Sequence, residues 1–246
     1  MIETQIEIPS RAGRIETFMC RPDKTGPWPG VIFYMDAPGI REELRDMARR
    51  IATVGYCVLL PNLYYRQGPG ITLSAETAVH DSPERQRMFA LMNTLTHQGI
   101  AEDTQALLDF IDTQPAIRRG ALGAVGYCMS GPFVTVAGTE FPDRFAAIAS
   151  FYGVGLITDK PDSVHRQLNR LRAEAYYGFG GTDELTPPAE IERFRAALDA
   201  SGARYALEVY PGAGHGFAFP QRPRYDKPSA ERHWERLFEL LRRNLG

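Results

Sequence analysis

Short apolar runs alternate with helical patterns of apolar residues along most of the chain, and this alternation constrains the fold more than any other feature. The runs have the length of buried strands, and proline or glycine borders several of them. They cover residues 30–35, 56–60, 121–127, 145–152, 173–179 and 205–210. Because strands that alternate with helices form parallel sheets, we expect a three-layer α/β fold with a mainly parallel central sheet and helices on both faces.

The predicted helices lie between these runs, and the N-terminal residues differ from the rest. Helical spacing is found at 83–96, 101–113, 131–139, 188–200 and 229–245, and in a segment with Leu44, Met47, Ala48, Ile51 and Ala52 on one face. Residues 4–8 and 15–19 instead alternate roughly between apolar and polar side chains. This pattern is typical of an antiparallel hairpin, so we expect an antiparallel N-terminal edge.

Length and charge narrow the classes of protein that fit. The chain has 246 residues and shows no repeat or linker, so we expect one domain over 1–246 that is a monomer or a small homo-oligomer. A net charge of −2 provides no basic surface and makes nucleic acid an unlikely main partner. There is no apolar run of membrane-spanning length and no secretory leader, so we expect a cytoplasmic protein without a membrane partner.

Three cysteines raise the question of a reactive thiol. Cys20 and Cys57 lie at or inside predicted strands, where packing explains them, and no cysteine has the spacing of a metal site. Cys128 follows the predicted strand 121–127 and precedes a helix, with Gly126 and Gly131 nearby. Strand, sharp turn and helix are the setting of a nucleophile, where the helix N-terminus stabilises negative charge on sulfur. A buried core cysteine is the alternative.

An acid and a histidine also follow predicted strands. Asp183 lies in a glycine-rich loop after 173–179, and His215 lies between two glycines after 205–210. Taken alone, Asp183 could cap a helix or make a turn, and His215 could be a surface residue. Together with Cys128 they occur in the chain order of an α/β-hydrolase, in which the N–H groups of Met129 and Ala37 would bind the oxyanion.

At the level of whole motifs, the chain resembles the dienelactone hydrolase family. The matching segments are Gly-Tyr-Cys-Met-Ser-Gly at 126–131, Gly-Gly-Thr-Asp at 180–183, Gly-His-Gly-Phe-Ala at 214–218, the segment 61–70 and the segment 84–87. The resemblance implies a Cys128, His215 and Asp183 triad. It also implies that Asp36, where the family usually has glutamate, influences the protonation of the resting thiol.

Four residues are candidates to line the substrate pocket, namely Tyr64, Arg66, Arg87 and Phe219. Packing is the alternative explanation for the two aromatic residues, and solvation at the surface is the alternative for the two arginines. Arg87 matches the first of two arginines with which dienelactone hydrolases hold the substrate carboxylate, whereas Phe219 occupies the position of the second. A phenylalanine cannot form a charge-assisted pair, so dienelactone is not assumed to be the substrate.

The sequence therefore predicts hydrolysis of a small ester or lactone through a thioester intermediate, without a metal or an organic cofactor. Two alternatives stay open. One is promiscuous hydrolysis of other electrophiles, such as phosphotriesters, and the other is a non-catalytic protein with a redox-sensing thiol.

Overall fold

The structure is a computed structural model that describes residues 1–74, 77 and 79–246. Chain contacts divide it into two compact units, Met1–Arg119 and Gly120–Gly246. Each unit is described separately below, and the single domain over 1–246 stays a prediction.

The first unit contains the antiparallel edge. Its strands are β1 (Ile2–Ser10), β2 (Gly13–Arg21), β3 (Gly30–Tyr34) and β4 (Cys57–Pro61), and its helices are α1 (Glu42–Thr53), α2 (Pro83–Met92) and α3 (His97–Thr113). The strand order is β1-β2-β4-β3; β1 pairs antiparallel with β2, β2 pairs antiparallel with β4, and β3 pairs parallel with β4. The N-terminal hairpin is therefore as predicted, and each of its strands is longer than the alternating segment.

The second unit is a parallel α/β arrangement. Its elements are β5 (Leu122–Tyr127), α4 (Gly131–Glu140), β6 (Phe145–Phe151), β7 (Glu174–Gly180), α5 (Pro188–Ser201), β8 (Tyr205–Tyr210) and α6 (Lys227–Leu245). The strands follow the order β5-β6-β7-β8, and every neighbouring pair is parallel. The predicted α/β fold, with a mainly parallel sheet, an antiparallel N-terminal edge and helices on both faces, is confirmed.

Burial follows the predicted apolar patterns. In α1 the five apolar residues at helical spacing are buried, together with Glu43. Strands β3, β4 and β5 are buried along their whole length, as expected for strands covered on both faces. Each fully buried leucine or isoleucine in them contributes about 1.5–3 kcal/mol, so the strand ends have a rigid base.

Candidate functional site

The turn after β5 holds Cys128 in a backbone conformation that a cysteine rarely adopts. Its φ angle is +54°, in the left-handed region, and its side chain is half-buried. A non-glycine residue in that region costs on the order of 1–3 kcal/mol and persists only where the surrounding contacts hold it. Such strain is typical of a nucleophile that a sharp turn lifts away from the strand.

Two glycines make the turn possible because side chains at their positions would collide with backbone. A Cβ atom on Gly126 would lie 2.5 Å from the Ser130 carbonyl oxygen. A Cβ atom on Gly131 would lie 2.3 Å from the Gly153 Cα atom. The glycines near Cys128 therefore allow the strand, the turn and α4 to pack closely.

Ser130 occupies the position at which this turn usually has a second glycine, and its hydroxyl stabilises the turn. The hydroxyl accepts a hydrogen bond from the Tyr127 N–H at 2.9 Å and donates one to the Tyr127 carbonyl at 3.0 Å. The Val154 N–H donates to the Cys128 carbonyl at 3.1 Å. A small side chain with a hydroxyl is thus accommodated, and it fixes the residue that precedes the cysteine.

Asp183 and His215 form a buried pair in the loops after β7 and β8. The Nδ1 atom of His215 lies 2.8 Å from Oδ2 of Asp183, and the Leu185 N–H donates to the other carboxylate oxygen at 2.9 Å. The Asp183 side chain is fully buried, whereas that of His215 is 19% exposed. Asp183 makes the local turn that was the alternative explanation for it, and it also binds the histidine.

Each member of this pair changes the pKa of the other. Burial favours the neutral form of both groups, but their mutual attraction is stronger. The hydrogen bond and charge of His215 hold the pKa of Asp183 below its usual value. Asp183 and the Cys128 thiol together raise the pKa of His215 from 6.5 to about 10. The histidine therefore holds a proton strongly at neutral pH.

The second ring nitrogen of His215 is available for chemistry. Nε2 is buried and makes no hydrogen bond of ordinary geometry to any residue among 1–74, 77 and 79–246, although the Cys128 thiol is near enough to raise the pKa of the ring. The edge of the Tyr152 ring meets the imidazole at a centroid distance of 5.2 Å. Tyr152 also has a positive φ angle, +39°, so a second strained residue lies at this site.

The loops of Asp183 and His215 are joined to each other by backbone contacts. The Thr182 N–H and hydroxyl both donate to the Ala213 carbonyl, at 2.9 and 3.0 Å. The Gly181 N–H donates to the Tyr210 carbonyl at 2.8 Å. A Cβ atom on Gly180 would lie 2.6 Å from the Ala213 carbonyl oxygen, so only glycine allows this approach.

In the first unit, the segment after β3 holds Asp36 and Ala37, both buried. Arg41 binds the two carboxylate oxygens of Asp36 at 2.6 and 3.1 Å and also donates to Glu43 at 2.7 Å. The Tyr64 hydroxyl donates to the Ala37 carbonyl at 2.6 Å. Arg41 was not identified from the sequence. The signal that could have found it is its position between Asp36 and Glu43 in the chain.

The remaining predicted substrate residues have different surroundings. Arg66 donates to the buried carboxylate of Asp103 at 2.6 Å, whereas the Arg87 side chain is 52% exposed. Phe219 is 2% exposed and lies in the second unit, where its ring packs against Tyr127 at a centroid distance of 5.3 Å. Met129 directly follows Cys128 and is buried.

Neither a metal site nor a membrane-spanning helix is found in the part of the chain that the structure describes. Among these residues, no group of three or more histidine, cysteine, aspartate or glutamate side chains could hold a metal ion. None of the helices there is both long and apolar enough to cross a bilayer.

Known proteins resemble this chain over nearly its whole length. The sequence pattern described as "Dienelactone hydrolase family" matches residues 15–245. A Synechocystis protein, provisionally named a carboxymethylenebutenolidase, is 28% identical over 98% of this chain and 97% of its own length. The carboxymethylenebutenolidase of Pseudomonas putida is 25% identical over 98% and 97%. A Klebsiella pneumoniae structure, provisionally described as a dienelactone hydrolase, has a TM-score of 0.85 and 26% identity, covering 97% of both chains.

Proposed function

The chain belongs to the dienelactone hydrolase family and is a hydrolase of ester or lactone bonds, and from this premise we propose that Cys128, His215 and Asp183 are its catalytic triad. The observation that carries the proposal is the buried Asp183–His215 hydrogen bond of 2.8 Å, which raises the pKa of His215 together with the Cys128 thiol. A redox-sensing thiol has no need of a histidine oriented by a carboxylate.

Since His215 holds a proton strongly, it has already taken the Cys128 proton in the resting pair, and in the first chemical step the thiolate attacks the carbonyl carbon of the substrate. Because Nδ1 donates to Asp183, Nε2 is the nitrogen that receives the thiol proton. When the tetrahedral intermediate collapses, the carbon–oxygen bond to the leaving group breaks. The leaving alkoxide takes the proton from Nε2, and the acyl group stays on sulfur as a thioester.

Water completes the cycle. His215 removes a proton from a water molecule, whose oxygen attacks the thioester carbonyl. The carbon–sulfur bond then breaks, the carboxylic acid leaves, and the Cys128 thiolate is regenerated beside the protonated His215. Asp183 stabilises the imidazolium in both halves of the reaction and stays ionised throughout.

We propose that the backbone N–H groups of Met129 and Ala37 bind the oxyanion, as the sequence predicts. Met129 lies in the turn that leads into α4, where backbone N–H groups are still free to bind an anion. The Tyr64 hydroxyl donates to the Ala37 carbonyl and so holds the residue whose N–H we propose as the second donor. A preorganised donor of this kind contributes about 3–4 kcal/mol to catalysis.

For Asp36 we propose an influence on the resting thiol that depends on Arg41. The guanidinium group is bidentate on Asp36 and also binds Glu43, and these carboxylates raise the pKa of Arg41 against the opposing effect of burial. Since Arg41 compensates the charge of Asp36, substitution of Arg41 is expected to change the reactivity of the thiol as strongly as substitution of Asp36 itself.

The substrate is proposed to be a small ester or lactone with little negative charge. Phe219 provides an aromatic ring where an arginine would bind a carboxylate, and Arg66 is already paired with Asp103. Arg87 is half-exposed and pairs with Glu84 at 3.6 Å, and the Tyr64 and Phe219 side chains are buried. Anionic lactones should therefore bind less well than neutral ones.

A panel of substrates tests this function. The panel contains p-nitrophenyl esters of increasing chain length, a neutral lactone, an anionic dienelactone and a phosphotriester. Cys128→Ala should lose all hydrolysis, whereas the matched control Cys57→Ala should keep it, because Cys57 is fully buried in β4. Hydrolysis of the phosphotriester alone would favour the promiscuous alternative. Reversible oxidation of Cys128 without any hydrolysis would favour the redox sensor.

A cytoplasmic location, the absence of a nucleic-acid partner and the oligomeric state stay predictions.

A further inference from the structure

The tyrosine that precedes the proposed nucleophile makes a buried contact that the chemistry above does not use. The Tyr127 hydroxyl lies 2.9 Å from Nε2 of His233, a fully buried residue of α6. Nδ1 of His233 lies 2.6 Å from the Ala230 carbonyl oxygen. Since a carbonyl only accepts, Nδ1 carries a hydrogen, and in the neutral ring Nε2 accepts from the Tyr127 hydroxyl.

The ring of Tyr127 also contacts the residues that surround His215. Its centroid lies 5.8 Å from that of Tyr152 and 5.3 Å from that of Phe219. Tyr152 meets the His215 ring edge-on, and the Phe219 N–H donates at 3.1 Å to the carbonyl of Gly216, the residue after His215. Tyr127 is therefore bonded along the chain to Cys128 and packed against Tyr152, which contacts the His215 ring, and against Phe219, which binds the backbone of the residue after His215.

The backbone of the same tyrosine is held as firmly as its side chain. Both polar backbone groups of Tyr127 bind the Ser130 hydroxyl, and the next residue has the left-handed φ angle of +54°. A strained conformation persists only where its surroundings determine it. A rotation of Tyr127 would thus be transmitted directly to the sulfur position.

We propose that Tyr127 and His233 are positioning residues that act as one unit and set the distance between the Cys128 sulfur and the His215 ring. This proposal rests on the proposed function, because the benefit of that distance is proton transfer from sulfur to Nε2. His233 connects α6 to the turn, so a helix far along the chain determines the geometry of the nucleophile. Small errors in such geometry are costly in rate.

The test compares Tyr127→Phe, His233→Leu and the double variant on the best ester of the panel. Each single variant should lower kcat about tenfold, equal to about 1.4 kcal/mol of barrier, while KM changes less than twofold. The double variant should be no slower than the slower single variant, since both substitutions remove the same contact. His233→Gln offers the hydroxyl a new acceptor and should recover part of the lost kcat.

A matched tyrosine in the same unit provides the structural control. The Tyr177 hydroxyl lies 3.1 Å from the Thr135 hydroxyl, and both residues are fully buried, away from the turn. Tyr177→Phe should lower Tm about as much as Tyr127→Phe but leave kcat unchanged. If Tyr127→Phe also keeps its full kcat, Tyr127 is only a packing residue and the proposal is refuted.

A second measurement separates this proposal from the proposed function. Alkylation of Cys128 by iodoacetamide at pH 7 needs no substrate, and its rate should fall several-fold in Tyr127→Phe and not in Tyr177→Phe. If no ester or lactone is hydrolysed but this difference is found, the function is wrong and the positioning role stands. If alkylation is equal in all variants, the positioning role is refuted even in an active enzyme.

Discussion

Replacement of Asp183 by asparagine tests the central pair because it removes one charge and little volume. Asparagine keeps an oxygen that can accept from Nδ1 of His215, so the loop bond of 2.8 Å can persist in a neutral form. Burial would then act on the histidine without the opposing carboxylate, and the pKa of His215 should fall from about 10 towards or below 6.5. The substitution should therefore change both stability and rate.

The size of the stability change follows from the pKa values. The pKa of His215 differs by about 3.5 between the folded and the unfolded chain. At about 1.36 kcal/mol for each pKa unit, protonation of His215 can contribute at most about 5 kcal/mol to the free energy of unfolding. Asp183 shares this effect with Cys128, so Asp183→Asn should cost about 2–3 kcal/mol, as is usual for a hydrogen bond to a charged group. Because the folded pKa is raised, the contribution is complete below pH 6.5 and is lost as the pH rises through 10.

The measurement is urea unfolding of the wild type and Asp183→Asn at intervals between pH 6 and 10. The difference in free energy of unfolding should be largest near pH 6 and should shrink to about 1 kcal/mol, the value of a neutral hydrogen bond, near pH 10. Over the same range kcat should be lower by about 10⁴, the effect of this substitution in a comparable triad. A constant stability difference would refute the argument that charge on His215 is what Asp183 stabilises.

Asp103→Asn is the matched control for that experiment. Asp103 is also a buried carboxylate, and it accepts hydrogen bonds of 2.6 Å from the Tyr65 hydroxyl and from Arg66. Burial raises the pKa of Tyr65 to about 12, and arginine stays charged, so neither partner titrates between pH 6 and 10. Burial raises the pKa of Asp103 itself, so the loss of stability in Asp103→Asn should be independent of pH wherever that carboxyl is ionised.

Three further predictions concern the turn, the thiol and the oxyanion. Gly131→Ala should lower the free energy of unfolding in urea by about 3 kcal/mol or more, because the new Cβ atom would lie 2.3 Å from a backbone atom. Gly138→Ala in the same helix is the control. Its Cβ atom would lie 2.6 Å from the flexible end of a leucine side chain, so the loss should be less than about 1 kcal/mol. In native protein, mass spectrometry after iodoacetamide treatment should find one label, on Cys128, because burial raises the pKa values of Cys20 and Cys57 to about 12; labelling of either of these two would contradict the assigned burial. Tyr64→Phe removes the donor to the Ala37 carbonyl at 2.6 Å and should lower kcat about tenfold with KM unchanged; an unchanged kcat would show that this hydrogen bond does not position the Ala37 N–H for the oxyanion.

The fold could be predicted from the sequence because periodicity and burial agree in nearly every element. The predicted strand 205–210 is β8 without any difference, and the helix over 131–139 is α4 within one residue. The short helical turns at Tyr65–Gln67, Cys128–Ser130 and Val164–Arg170 were not predicted. Each is too short for a periodic pattern, so only tertiary contacts determine it.

The proposed catalytic residues were identifiable because each follows a predicted strand, but their supporting contacts were not. Nothing in the sequence connects Tyr127 with His233 or Tyr64 with Ala37, since these pairs are far apart in the chain and their contacts depend on side-chain rotamers. The contact between Arg66 and the buried Asp103 was also not visible in the sequence, so Arg66 was interpreted as a substrate residue without it. Residue type and local pattern indicate chemistry, whereas long-range hydrogen bonds appear only in three dimensions.

The backbone junction between the loops of Asp183 and His215 has a consequence for attempts to change the specificity of the enzyme. Thr182 and Gly181 hold the acid's loop to Ala213 and Tyr210 at the base's loop, so the two loops form a single module. If only one of the two loops is replaced by that of a relative, the new loop lacks the partner with which its own backbone contacts evolved. Exchange of both loops together, as one cassette, is the smallest graft that should preserve the geometry of the pair.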